Sequence, residues 1–398
     1  MSVSTGNRVL MLLENNPYPQ DVRVYREAQA LTAAGYQVSV ICPADSGQPW
    51  RDVDEGVSVY RFPAPPSAQS MVGYLWEYGY SLTAMFFLSL LVVVRGGFDV
   101  IHAHNPPDML VLIAAFYKLF GKRFVYDHHD LAPEMYYARF PGQGNPFLYR
   151  LLVWFETLSC RLANHVVTTN QSYKMIEMQR GRVPEDRISI VRNGPKVSDL
   201  QTIKANGDLG QSGQIVIGYV GVMGFQDGID YLLRALRCLN QDLKRHDFLC
   251  VLVGDGAALP SLRSLTQQYN LTEHVVFTGW VASGKVADYL SAADICVVPD
   301  PSNAYNDRST MVKIMEYMVL GKPIVAFDLP EHRFSAQAAA LYVRPNDERE
   351  FARALVQLMD DEARRQEMGL VGRQRIETDL AWQYSVPHLL EAYRKAFA

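Results

Sequence analysis

Short apolar runs alternate with segments of helical period from one end of the chain to the other. Runs of four to six apolar residues bounded by polar turns read as strands buried on both faces. The first half offers seven, at 8–13, 37–41, 57–62, 99–103, 123–127, 165–169 and 188–192. Between the first two, apolar residues at 22, 25, 28 and 31 mark one face of a helix, and Gly35 stops it. The second half offers six more, at 215–220, 248–254, 275–278, 295–299, 324–327 and 341–343. This rhythm predicts an α/β protein of βαβ units, with parallel sheets covered by helices on both faces.

Residues 193–213, NGPKVSDLQTIKANGDLGQSG, break the rhythm with a polar, glycine-rich stretch. That divides the chain into an N-terminal domain over 1–195, a linker over 196–213 and a C-terminal domain over 214–379. Two doubly wound domains facing each other leave a cleft at the carboxyl ends of their strands, where such sheets bind ligands. A length of 398 residues suits two domains.

Composition then narrows the classes. Hydrophobic residues make up 48% of the chain, and Gly (27) and Pro (21) are near ordinary use, which excludes collagen-like and disordered readings. The formal net charge of -4 excludes a protein that lives on nucleic-acid phosphates. The charge is uneven. Up to residue 195 there are 17 Lys and Arg against 17 Asp and Glu, so 21 and 25 of the 38 and 42 lie beyond. A site for an anionic ligand in the acidic half has to be built locally. Five scattered cysteines show no metal-ligand spacing, and the apolar run near the N-terminus is too short for a signal peptide. A reducing, cytoplasmic setting is expected.

One segment stands apart. Residues 78–94, YGYSLTAMFFLSLLVVV, carry no charge between Glu77 and Arg95. That is the lower limit for a spanning helix. A strand follows at once, so a span would split one sheet across the bilayer. Two readings remain: a core helix, or a helix lying in a membrane surface with Trp76, Tyr78 and Tyr80 as interfacial anchors. On the second reading, 76–95 makes peripheral contact with the inner face of the cell membrane.

The densest chemistry lies in the second half. VLVGDG runs a strand into a Gly254-Asp255-Gly256 turn, where glycine lets a ligand approach the backbone. VVFTGWV and YLSAADICVVPDPS follow, then a polar loop entering a helix, NDRSTMVKIMEYMV, closed by Gly321-Lys322-Pro323. A helix start preceded by Ser309 and Thr310 offers free N–H groups, hydroxyls and a favourable dipole to an anion, with Arg308 and Lys313 to add charge. Glu316 can accept two hydrogen bonds from vicinal hydroxyls such as those of ribose.

In this order, these motifs resemble the C-terminal domain of the retaining family 4 glycosyltransferases, which have the GT-B fold. DVIHAHNP (99–106), YDHHD (126–130), Asn193-Gly194 and the helical segment 380–398 match further family features, the last as a helix packing back on the first domain. The resemblance implies transfer of a sugar from a nucleotide-sugar to a saccharide or lipid-linked acceptor hydroxyl. Configuration would be retained, with no metal and no cofactor beyond the donor substrate. Glu316 would hold the ribose, and Thr278, Trp280 and Val281 would contact the base. Gly221, Gly224, Gly254, Asp255, Ser309, Thr310 and Met311 would line the nucleotide. His104 would face the reacting sugar and Asp130 the acceptor; with Arg308 and Lys313 they form the expected catalytic set. The departing diphosphate itself would guide the acceptor's attack, so phosphate stabilisation carries much of the catalysis.

The chain also departs from the family. Arg308 stands eight positions before Glu316, where a second glutamate is usual. Val222 and Asp227 stand where an Arg and a Lys usually bind the diphosphate. Arg308 and Lys313 are the expected replacements. Asp21, Arg23 and Arg26 either reach substrate or simply cap and brace their helix. Glu134 and Tyr136 are further acceptor-side candidates.

Overall fold

The computed structural model describes residues 7–66, 71–139, 142, 144–196 and 213–398. The predicted linker therefore lies almost entirely outside the described residues. The chain forms two compact units. One holds residues up to Tyr137, Gly142–Asn193 and Ser385–Ala398; the other is built on Gly194–Tyr384.

The first unit is an eight-stranded sheet of β1 (Arg8–Leu12), β2 (Gln37–Ala44), β3 (Arg51–Asp54), β4 (Val57–Pro63), β5 (Val100–His104), β6 (Arg123–His128), β7 (His165–Thr168) and β8 (Ile188–Ile190). The order is β3-β4-β2-β1-β5-β6-β7-β8. All its pairings are parallel except β3 with β4. The sequence pattern missed β3, because RDVD is polar and mostly exposed and shows no apolar alternation. The order reverses between β1 and β5, so loops leaving those strands part to opposite sides and leave room for a site.

The second unit is an all-parallel six-stranded sheet of β9 (Ile215–Val220), β10 (Phe248–Val253), β11 (Val275–Gly279), β12 (Ile295–Val298), β13 (Ile324–Phe327) and β14 (Ala340–Val343). Its order, β11-β10-β9-β12-β13-β14, switches between β9 and β12. Helices cover both faces, which is why the strands read as unbroken apolar runs.

The long apolar helix Met71–Arg95 packs on β2 and β4. Ser81, Met85, Ser89 and Val92 form its buried stripe, and the Ser89 hydroxyl lies 2.8 Å from the Tyr117 hydroxyl. Tyr80, Leu82, Ala84, Phe86, Leu88, Leu90 and Leu91 pack partly buried against the same core, while Trp76, Phe87, Val93 and Val94 are exposed, Val94 by 84%. The stretch Trp76–Arg95 is long and apolar enough to cross a membrane, yet one stripe of it belongs to the core of this unit. All five cysteines are buried and free.

Two glycines explain how the strand ends meet. Gly254 has φ +138°, and a Cβ there would come within 1.9 Å of the Gly221 carbonyl oxygen, so the loops after β9 and β10 lie backbone against backbone. A Cβ on Gly194 would meet the Leu380 carbonyl oxygen at 1.9 Å, beside the 2.8 Å bond from the Trp382 N–H to the Pro195 carbonyl. Gly254→Ala adds both backbone strain and this collision, and is expected to lower stability by about 2 kcal/mol or more, read as a depressed midpoint of thermal unfolding.

Candidate active site

In the second unit the loop after β9 and the loop after β12 are tied together. Asn306 is buried and donates from Nδ2 to the carbonyls of Gln226 (3.0 Å) and Pro301 (2.9 Å). Asp227 accepts from the Gly224 N–H at 2.9 Å, closing the β9 loop on itself. Beneath these loops sits Lys313. Its Nζ lies 3.2 and 3.3 Å from the oxygens of the fully buried Asp300 and donates to the Tyr219 hydroxyl at 3.2 Å. Burial alone would lower the Lys313 ammonium, but Asp300 and Tyr219 hold it above its usual range. Burial pushes the Asp227 carboxyl up to about 6 against the pull of Lys313. The positive charge expected to serve a diphosphate is thus already matched by Asp300.

The helix Val312–Val319 begins beside this group. Met311 is its N-cap residue and supplies no side-chain cap. The hydroxyls expected to face an anion have protein partners: Ser309 donates to the Tyr305 carbonyl at 2.9 Å and Thr310 to Glu331 at 3.4 Å. Arg308 donates from Nη1 to the Ala304 carbonyl at 2.5 Å. Glu316 lies three residues beyond Lys313 and is exposed. Gly221 adjoins both Lys313 and Gly254. Asp255 accepts from the Gly256 N–H at 2.7 Å, and its carbonyl accepts from Met223 at 2.9 Å. The Thr278 hydroxyl donates to the Gly279 carbonyl at 2.8 Å, Val281 is partly buried, and Trp280 is 77% exposed at the rim. Most of the predicted nucleotide residues therefore lie on loops at the carboxyl ends of β9 to β12. Asp300, Tyr219 and Asn306 were not singled out from the sequence. The pattern Pro299-Asp300-Pro301 at a strand end was their one signal.

In the first unit the carboxyl ends of β5 and β6 hold a buried polar group. Arg23 grips both oxygens of Asp127 at 2.7 Å and also donates to the Val191 carbonyl (2.9 Å) and to Asn193 (2.6 Å). Asp21 caps the helix Val22–Ala33 by accepting from the Val24 N–H at 3.0 Å, so this end of the helix is braced, as one of the two sequence readings held. His104 Nδ1 lies 2.8 Å from Asp127 Oδ2, and the side chain is fully buried. Burial would raise the Asp127 carboxyl, yet Arg23, His129 and His104 hold it well below the usual range. Burial lowers His104 despite that carboxylate, leaving a neutral imidazole. With Nδ1–H donated to Asp127, Nε2 is an acceptor, and it has no partner among the described residues. Asn105 fixes the neighbouring loop. It donates to the Asp130 carbonyl at 2.6 Å and accepts from the N–H groups of His129 and Asp130. Glu134 is committed to Arg180 at 2.6 Å, and the Tyr136 hydroxyl accepts from the Asn145 N–H at 2.7 Å.

Glu27, His102, His104 and Asp127 offer ligand atoms within 4.8 Å of one another, a spacing that can hold a cation. Arg23 already stands there, 3.1 Å from Glu27 and 2.7 Å from Asp127. A divalent ion would sit against a guanidinium that neutralises the same oxygens.

The comparisons with known proteins agree with this geometry. The model described as "Glycosyl transferase 4-like domain" matches residues 20–194, and that described as "Glycosyl transferases group 1" matches 214–361. The chain belongs to the family 4-like glycosyltransferases. Among its relatives is the D-inositol 3-phosphate glycosyltransferase of Stackebrandtia nassauensis, 25% identical over 392 residues, 94% of this chain and 86% of that one. Sucrose-phosphate synthase from Thermosynechococcus elongatus has the same GT-B fold, with a TM-score of 0.81 at 20% identity over 98% of this chain and 99% of its own. An Anabaena protein solved in complex with UDP and glucose follows at 0.73 and 16%, covering 98% and 99%.

Removing Arg23 strands the buried Asp127 charge. Arg23→Leu is expected to cost about 3–5 kcal/mol in chemical denaturation, with Arg23→Lys recovering part of it. Because Asp127 is held low in the folded state, its contribution is present above the unfolded carboxyl pKa of about 3.9 and is lost as pH falls through its depressed value. Denaturation curves of the wild type should therefore weaken below about pH 4, and in Arg23→Leu that decline should be shallower, carried by the other depressed carboxyls such as Glu156.

Proposed function

We propose that this glycosyltransferase moves a sugar, with retention of configuration and without a metal, from a uridine diphosphate sugar to an acceptor hydroxyl. The observation that carries the reading is the second unit's site. Glycine-lined loops approach closely beside Lys313, and the neighbouring helix start lacks a side-chain cap, so its backbone N–H groups are suited to a diphosphate. Exposed Trp280 offers a face for the base, and Glu316 a carboxylate for the ribose. The UDP found with the Anabaena neighbour supports the choice of nucleotide. In the first unit, the neutral His104 presents Nε2 as an acceptor for a sugar hydroxyl.

The acceptor we infer is lipid-linked, as in assembly of surface polysaccharides, with the enzyme peripheral at the cytoplasmic face of the membrane. The exposed Trp76, Phe87, Val93 and Val94 on this long apolar helix support this, since a membrane surface can take up apolar side chains that water serves poorly. A second reading rests on the matching of the Lys313 charge by Asp300, with Val222 and Asp227 at the positions where the family resemblance leads one to expect cations. That favours a GT-B protein that binds a nucleotide-sugar without turning it over.

Transfer or donor-hydrolysis assays with UDP-, GDP- and ADP-sugars separate these readings. Turnover with a UDP-sugar and an α-configured product by NMR is expected; binding without turnover supports the second. Arg308→Ala and Lys313→Ala should each lower kcat/KM about 10- to 100-fold, since a charged hydrogen bond is worth about 1.5–3 kcal/mol. Near-normal turnover in both overturns their assigned role. Co-sedimentation with anionic vesicles should fall for Phe87→Asp/Val94→Asp relative to the wild type.

A further inference from the structure

At the amino-terminal ends of β6, β7 and β8, opposite the end that carries His104, the first unit has a recess of about 390 Å³. Five cations line it: Lys118, Arg123, Arg161, Arg187 and Lys395, gathered around Asn164. No Asp or Glu side chain contributes to the wall. Lys118, Arg123, Arg161 and Arg187 come from residues 1–195, which carry equal numbers of basic and acidic groups, and Lys395 joins them from the C-terminal helix, so the cluster is segregation and not composition.

The cations are also poorly compensated. Among the described residues, Lys118, Arg123, Arg161 and Arg187 form no ion pair within 4.0 Å, and Lys395 reaches Glu391 only at 4.0 Å. Lys118 donates to Asn164 Oδ1 at 2.8 Å, and Arg187 donates from Nε to the Asn164 carbonyl at 3.2 Å, so both are positioned by neutral acceptors. Burial lowers the Lys118 ammonium, and Arg187 and Arg123 push it the same way. Like charges brought together repel one another, most strongly at the partly buried Lys118, Arg123 and Arg187, and an anion joining them relieves that repulsion; Arg161 and Lys395 are exposed at the rim. Guanidinium groups match tetrahedral phosphate oxygens with paired N–H bonds, and the volume suits a phosphomonoester or a diphosphate.

We propose that this recess is a second anion site, separate from the donor site, that binds a phosphate group. The phosphate can belong to a soluble phosphorylated compound or to a lipid headgroup. Leu119 (82% exposed) and Phe120 (66%) directly follow Lys118, so a bilayer would present both chemistries to the same corner.

The test compares the full chain with Arg123→Gln/Arg161→Gln and with the single variant Arg161→Gln, neither side chain holding a hydrogen bond among the described residues. Inorganic phosphate and pyrophosphate are titrated in a thermal-shift assay, and vesicles of phosphatidylglycerol or phosphatidylcholine are used in co-sedimentation. Because pyrophosphate can also occupy the donor site, the readout is the difference between wild type and variants. A midpoint rise that needs at least tenfold more pyrophosphate in the double variant, with an intermediate effect of Arg161→Gln, identifies a soluble ligand. Unchanged pyrophosphate response with at least tenfold weaker binding to phosphatidylglycerol, and none to phosphatidylcholine, identifies a headgroup. Equal responses of wild type and variants in both assays overturn the proposal. Unliganded melting curves that match the wild type show that the variants are folded.

Discussion

Arg23 holds both oxygens of Asp127 with almost no part of either side chain reaching water. Removing two such charges from water is expensive, so the pair persists only because further groups complete it. His104 donates to the same carboxylate, and the Val191 carbonyl and Asn193 accept from the same guanidinium. One interaction therefore joins the helix after β1, the ends of β5 and β6, and the chain leaving β8. It also sets the chemistry of the site. Asp127 stays ionised, selects the tautomer of His104 and leaves its Nε2 as an acceptor. The carboxyl ends of a sheet are where ligands bind, and also where the backbone groups of the strands end. A polar group there must be either satisfied or functional, and among the described residues His102 Nε2, His104 Nε2 and His129 Nδ1 are buried in this cluster without a hydrogen-bond partner.

The second unit solves a different problem. It is the acidic part of the chain, yet the family function asks it to hold a diphosphate. Lys313 is matched by Asp300, and burial raises the Asp227 carboxyl nearby to about 6. Besides the charges of Lys313 and Arg308, the site has a second resource. It offers backbone, brought close by glycines at the ends of β9 and β10 and by the uncapped start of Val312–Val319. Preorganised N–H groups lose little on binding an anion because they need no reorganisation.

The first unit shows segregation on its outer surfaces. The apolar helix buries Ser81 and Ser89 beside Met85 and Val92, and leaves Trp76, Phe87 and Val94 exposed. The neutral overall charge of residues 1–195 conceals four cations that gather with Lys395 at the far end of the sheet. Neither feature is needed to hold the sheet together, and each leaves a surface that water serves poorly.

The βαβ rhythm, the two domains and nearly every strand were legible in the sequence, because strands buried on both faces must be continuously apolar. Only β3 escaped, for it is an exposed edge strand whose residues need satisfy no core. The loops at the carboxyl ends of β9 to β12 were legible too, since turn glycines and a helix start are local features. Partners were not. Nothing in the sequence pairs Arg23 with Asp127 across 104 positions, sets Asp300 against Lys313, or turns Ser309 toward a carbonyl. Nor does it show Lys118, Arg123, Arg161, Arg187 and Lys395 as one group. Periodicity reports which face of an element is buried. Which charges meet depends on the order of strands in the sheet and on distances that only the folded chain defines.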